Sequence, residues 1–204
     1  MVVQRIDTYE DPRFSKAVLL QHGAFLVDKS IPCEVEIISG TKAIVRCQQA
    51  YQEKLIEAFR FYAEQITEFY DEAGICLAKF EPVELFDVPL SEIQPSQFFV
   101  DREKKAAVAT FIHAPADVVI PLVRDPNGYI SLDGHTRLSV AADLGFPTVK
   151  GFLSQGDVLL DAFVQEARRR GITSVSDMEV LSHPEYELKW YGCCDRIQQG
   201  EACD

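Results

Sequence analysis

The sequence holds no run of 18 uninterrupted apolar residues, so it offers no candidate for a membrane-spanning helix. Positive charge is also scarce. Twenty Lys and Arg stand against 32 Asp and Glu, a net charge of -12, which repels a polyanion unless the cations gather on one surface. Nucleic acid is therefore an unfavoured partner. No CxxC pair occurs among Cys33, Cys47, Cys76, Cys193, Cys194 and Cys203, and the adjacent Cys193 and Cys194 would point about 100° apart on a helix, badly placed to share a metal. The first residues, "MVVQRIDTYEDPRF", carry charges where a secretory signal needs an apolar stretch. These features predict a cytoplasmic protein whose six thiols are reduced. Histidine is scarce too: neither His22 nor His113 has a second His or Cys at metal-ligand spacing.

Against these absences, 47% of the 204 residues are apolar and 10% aromatic, enough to build one large core or two small ones. The stretch "AVLLQHGAFLVDKSIPCEVEIISGTKAIVRC" (17–47) reads as strands broken by turns, with alternation clearest in "CEVEI" and "KAIVRC", and predicts a small antiparallel meander. Next, Tyr51, Leu55, Phe59, Tyr62, Ile66, Phe69 and Tyr70 recur with a helical period, predicting one long amphipathic helix that ends at Gly74 and packs on that meander. Pro82, Pro89 and Pro95 then break the pattern, which places a boundary near residue 80, between units 1–80 and 81–204.

The second unit reads as mixed α/β. An extended "VELFDVPL" precedes a helix near "DREKKAAVATFIH", a strand "DVVIPLVRD", a turn "DPNG", a strand "YISLD" and a helix "HTRLSVAADLG" closed by Gly145. A strand "TVKGFL", a helix "QGDVLLDAFVQEARRRG" and a final helix capped by Ser182 follow, with Trp190 expected to pack that helix onto the domain. No internal repeat and no low-complexity tract is evident. The three arginines Arg168 to Arg170 read as a solvated helix end that complements the dipole.

The most polar short stretch, "DGHTR" (133–137), falls where a strand ends and a helix begins. The first amides of a helix have no intrahelical acceptor, and the macrodipole adds positive charge there, so the position suits an anion. Gly134 lets backbone approach a phosphate, and Arg137 supplies a guanidinium fork for its oxygens. Asp133 would repel a phosphate unless it holds Mg²⁺ or orients a hydroxyl, and His135 is a group able to carry a proton near neutrality. A plainer alternative is that Asp133 caps the helix, Gly134 makes the turn, His135 lies at the surface and Arg137 pairs with a carboxylate.

From about residue 84 to 153, "VPLSEIQPSQ", "VVIPLVRDPNGYISLDGHTRLSVAADLG" and "PTVKGFL" resemble the ParB/sulfiredoxin superfamily domain. The resemblance implies a sulfiredoxin-like fold whose loop binds nucleotide phosphates, with Gly134, His135, Thr136 and Arg137 around them and Asp133 on a metal or hydroxyl. Sulfiredoxins resemble one another in "GGCHR", whose reactive cysteine falls on His135 here. Partition proteins carry a "GERR" loop and a following DNA-binding module, for which about 50 residues remain here. Free-serine kinases carry "DGHHR", one residue from "DGHTR", and that branch is nearest in this loop. Those kinases use a glutamate base where this chain has Gln97, which cannot accept a proton. Glu92, Asp101 or Glu103 could serve only if the fold delivers one. The resemblance thus implies a nucleotide (ATP, ADP or CTP) with Mg²⁺ and a small hydroxyl substrate such as free serine, in a phosphotransferase or nucleotide hydrolase. The alternatives are a non-catalytic ligand- or partner-binding module and a DNA-associated ParB-like protein. A homo-oligomer is compatible with any of them.

Overall fold

The computed structural model describes residues 1–156 and 158–203, which divide into two compact units, Met1–Val83 and Glu84–Asp204. Both mix helix and sheet, an α+β architecture.

The first unit is built from β1 (Val3–Arg5), α1 (Lys16–Leu20), β2 (Ala24–Val27), β3 (Ile31–Ile37), β4 (Lys42–Arg46), α2 (Gln52–Arg60), β5 (Glu68–Tyr70) and β6 (Cys76–Lys79). Its six strands form one sheet in sequence order. Every neighbouring pair is antiparallel except β4 and β5, which run parallel, so the expected meander holds only in part. Parallel neighbours need a crossover, and α2 supplies it. That requirement also corrects the long helix expected up to Gly74. The helix stops at Arg60, and Phe69 and Tyr70 leave it for β5, where Phe69 faces Ala43 of β4. Aromatic residues next to Ile66 and Thr67 favour the pleated state once a sheet edge is available. Leu55, Phe59, Ile66 and Phe69 still bury in one core with Phe25 and Val35. Ala17 to Leu20, expected as strand, are helical because Ser15 caps them, its hydroxyl accepting the Val18 amide at 3.4 Å.

The expectation of six reduced thiols is overturned by two disulfides, Cys33–Cys47 and Cys193–Cys203. The register that sets Glu34 against Arg46 brings the flanking Cys33 and Cys47 face to face, with Cα atoms 4.9 Å apart. The second bridge ties Cys203 back to α7 (Gly192–Gln198) at a Cα separation of 5.1 Å. Pairing here depends on strand register and chain reversal rather than on linear spacing. Cys76 and Cys194 remain as thiols, and burial pushes Cys194 up to about 11.

The second unit contains β7 (Phe86–Pro89), β8 (Ile93–Pro95), β9 (Phe99–Asp101), α3 (Arg102–Ala109), β10 (Val119–Asp125), β11 (Gly128–Ser131), α4 (His135–Asp143), β12 (Thr148–Leu153), α5 (Leu160–Arg169), β13 (Glu179–Leu181) and α6 (His183–Tyr186), ending in α7. Five strands form a mixed sheet in the order β7-β12-β10-β11-β8, and β9 pairs with β13 in a separate parallel ribbon. The helix expected across "QGDVLL" begins only at Leu160; Asp157 in that stretch lies outside the described residues. A π-helical turn, Glu187–Tyr191, joins α6 to α7. As expected, Trp190 packs inward, its ring 5.1 Å from Phe98 and 5.7 Å from Phe163. The arginines after α5 are more engaged than a solvated end: Glu166 accepts from Arg169 at 2.7 Å and Arg170 at 2.6 Å.

A structural repeat lies beneath sequences that show none. α3 and α5 are each followed, 60 residues apart, by the same turn, a short 3-10 helix and a strand. Asp117 and Asp177 close the two turns alike: each carboxylate accepts two successive amides, from His113 and Ala114 at 2.8 Å each, and from Thr173 and Ser174 at 3.0 and 2.7 Å. The parallel pairs β10·β12 and β9·β13 complete the duplication, because β9–α3–β10 and β12–α5–β13 exchange into each other. The two turns keep only the Ile and the Asp, Ile112/Ile172 and Asp117/Asp177, as identical residues, too few for periodicity to announce.

Candidate functional site

The loop 133–137 is positioned by strands on two sides. β11 delivers it from the mixed sheet, Leu132 N-H donates to Pro121 O of β10 at 3.0 Å, and α4 leaves from it. Gly134 occupies the N-cap position with φ +77°, a conformation that costs any residue with a Cβ. A Cβ there would stand 2.5 Å from Ile120 Cδ1 and 2.9 Å from Arg137 Nη2, so the glycine also makes room for the guanidinium that folds back across it. Gly134 has no side chain with which to cap α4; the first internal bond runs from Leu138 N-H to Gly134 O at 2.9 Å, leaving the amides of His135, Thr136 and Arg137 without intrahelical acceptors.

Arg137 is held at both ends. Its Nη1 donates to Val119 O at 2.7 Å, and its Nη2 stands 3.6 Å from Asp133 Oδ2. The guanidinium therefore fixes α4 to β10 while neutralising the carboxylate that would otherwise repel a phosphate. Asp133 is 68% exposed and Arg137 24%, so the pair lies at the surface, where an ion pair of this length is worth ~1 kcal/mol or less. Thr136 is half-buried beside them.

His135 differs from both readings of the sequence. It is neither at the surface nor solvated as a group that carries a proton near neutrality would be, but is buried at 5% exposure. Its Nε2 meets Ser131 Oγ at 3.0 Å, Ser96 Oγ at 3.2 Å and the Gln97 backbone N-H at 3.3 Å. Since the Gln97 amide can only donate, Nε2 acts as acceptor and the ring is neutral. Burial, the dominant cause, pushes its pKa down to about 4, with Arg137 acting in the same direction and Asp133 against it. The imidazole is thus a buried clamp between the end of β11 and the segment joining β8 to β9, reinforced by Ser96 Oγ donating to Ser131 O at 2.7 Å.

The base candidates are dispersed or already engaged. The Gln97 side-chain amide donates to Phe99 O and stands 3.3 Å from Tyr186 Oη. Glu103 is exposed in the first turn of α3. Asp101 is buried and caps that helix, its Oδ1 accepting Glu103 N-H at 2.8 Å and Lys104 N-H at 3.3 Å. Its Oδ2 meets His183 Nδ1 at 2.6 Å, an arrangement that sequence reasoning missed. The two residues are 82 positions apart, and only the parallel pairing of β9 with β13, which sets Leu181 beside Asp101, brings them together. Among the described residues, no three His, Cys, Asp or Glu side chains are grouped to hold a metal ion, and no helix is long and apolar enough to cross a membrane.

No family model and no curated protein matches the chain. Among solved structures, it is similar to protein Atu1540 from Agrobacterium tumefaciens, with 14% identity and a TM-score of 0.34 over 53% of this chain and 66% of that one.

Proposed function

We propose that residues 84–204 form a ParB/sulfiredoxin-like module that binds nucleotide phosphates at the 133–137 loop and does so without transferring a phosphoryl group. The observation that supports binding is the opening of α4: a glycine at the N-cap with φ +77°, three amides without intrahelical acceptors, and the Arg137 guanidinium folded back across Gly134. An entering phosphate takes the guanidinium in exchange for the 3.6 Å contact with Asp133, a stronger charge-assisted bond for a weak one. Asp133 then offers one carboxylate ligand to a Mg²⁺ that arrives with ATP, ADP or CTP. A Mg²⁺ held by one carboxylate and the phosphates it accompanies is a common mode, and the ion supplies charge neutralisation.

Support for binding over transfer comes from the proton-carrying groups. His135 is a neutral, buried acceptor, Gln97 has no basic oxygen, and Asp101 spends its oxygens on two amides and His183. His135, Gln97 and Asp101 are therefore each poorly suited to deprotonate an attacking hydroxyl. The test combines equilibrium dialysis with Mg²⁺ and ATP, ADP or CTP, and phosphate-release and phosphoserine assays with and without free serine. Saturable binding of at least one nucleotide, weakened tenfold or more in Arg137→Ala, with no product formed, is the expected result. Failure of all three to bind overturns the reading; turnover that disappears in Arg137→Ala replaces it with a phosphotransferase or hydrolase.

A further inference from the structure

Away from the phosphate loop, one histidine is held from behind as metal-binding histidines are held. Asp101 is fully buried, with its side chain at 0% exposure, and its Oδ2 accepts the Nδ1-H of His183 at 2.6 Å while Oδ1 takes two backbone amides. In the neutral ring that fixes the tautomer, so the lone pair of the imidazole is on Nε2. Nε2 points outward: the His183 side chain is 41% exposed, and Glu187 Oε1, one helical turn on and 54% exposed, stands 3.5 Å from it.

We propose that His183 and Glu187 form an open site for a divalent transition metal of the zinc type, with Asp101 as the positioning residue behind the imidazole. The separation has the right bite. Two ligands bonded at about 2.0–2.1 Å with a tetrahedral angle stand about 3.3 Å apart, so the metal enters with little movement of either side chain. Residues four apart on a helix share a face, and the carboxylate behind the imidazole raises its basicity and fixes its plane. The helix widens into its π-helical turn at Glu187 itself, an irregularity that tends to mark functional positions. Glu103, exposed on the first turn of α3, adds a further negative charge to the field around the imidazole. Because no third protein ligand is grouped with them among the described residues, water or an incoming ligand fills the remaining positions. Imidazole with carboxylate selects zinc-type ions over Mg²⁺ and Ca²⁺, which prefer oxygen alone.

The test titrates the full chain with Zn²⁺ by calorimetry and records the visible spectrum with Co²⁺, for the native chain and for His183→Ala, Glu187→Gln and Asp101→Asn. One equivalent of Zn²⁺ is expected. Affinity should fall tenfold or more in His183→Ala and Glu187→Gln, and about 10-fold in Asp101→Asn, which keeps a capping side chain but weakens the support behind the ring. The Co²⁺ bands should vanish in His183→Ala, while Arg137→Ala should leave Zn²⁺ binding unchanged. Absence of binding overturns the site, as does binding that survives both exposed-residue variants and is lost when Cys76 and Cys194 are alkylated. Should Asp101→Asn fail to fold, those two variants decide the matter.

Discussion

Ser131 Oγ lies 3.0 Å from His135 Nε2, and through this contact the last residue of a strand grips the first residue of the next helix across the three residues that separate them. The loop that looks most reactive in the sequence is therefore anchored from within by its own histidine. What remains at the surface is a guanidinium, a carboxylate and a set of amides.

Acid should loosen this clamp. The His135 pKa is pushed from the usual 6.5 down to about 4, mainly by burial, with Asp133 and Arg137 the charged groups nearest it in effect. A depressed histidine favours folding while it stays neutral, so its contribution is complete above about pH 6.5 and is lost as pH falls toward about 4. Between pH 7 and 4.5, unfolding of the native chain should lose roughly 2 to 3 kcal/mol more than that of His135→Gln, which does not titrate. Parallel pH profiles for the two chains in denaturant would contradict this.

Gly134→Ala should destabilise the second unit by roughly 2 kcal/mol, through the left-handed backbone and the collision with Ile120 Cδ1. Nucleotide binding should fall with it. Thermal melts that match the native chain would show that the loop relaxes without cost.

Both duplicated turns rest on an aspartate, Asp177 with two hydroxyl donors besides its amides. Asp117→Ala and Asp177→Ala should each cost about 1 kcal/mol, since each carboxylate serves two amides. The Ser174 hydroxyl, with the Thr173 and Ser174 amides, holds the Asp177 carboxyl below the usual range. Denaturation midpoints of the two variants measure this, and a variant that unfolds at the native midpoint would contradict it.

The disulfides predict a thiol count. The unfolded, unreduced chain should expose two thiols, Cys76 and Cys194, and reduction should raise the number to six. Reduction should also lower stability by about 3 kcal/mol per bridge, the loop-closure expectation for loops of this size. Six thiols before reduction would show that neither bridge forms.

How far the sequence reveals these features depends on the range of the interaction behind each. The "YISLD" strand, the "HTRLSV" helix and the glycine between them are local, set by alternation, helical period and a positive φ, and all three appear in the structure. Phe69 and Tyr70 fit a helical period yet join β5, because a free edge of β4 offers hydrogen bonds that a period of apolar residues does not encode. The same holds for the site. Arg137 beside Gly134 could be read from the loop, whereas the burial of His135 depends on Ser96, 39 residues earlier, and the Asp101–His183 contact on strand pairing across 82 residues. Neither of these leaves a mark at short range.

The most direct test of the phosphate loop is an amide-resolved NMR titration of the native chain with CTP, ATP or ADP in Mg²⁺. The His135, Thr136 and Arg137 amides should shift first and saturably with at least one nucleotide, Arg137→Ala should abolish those shifts, and the phosphorus spectrum should show intact nucleotide throughout. Amides elsewhere shifting while these three stay still, or none shifting with any nucleotide, would contradict binding at this loop.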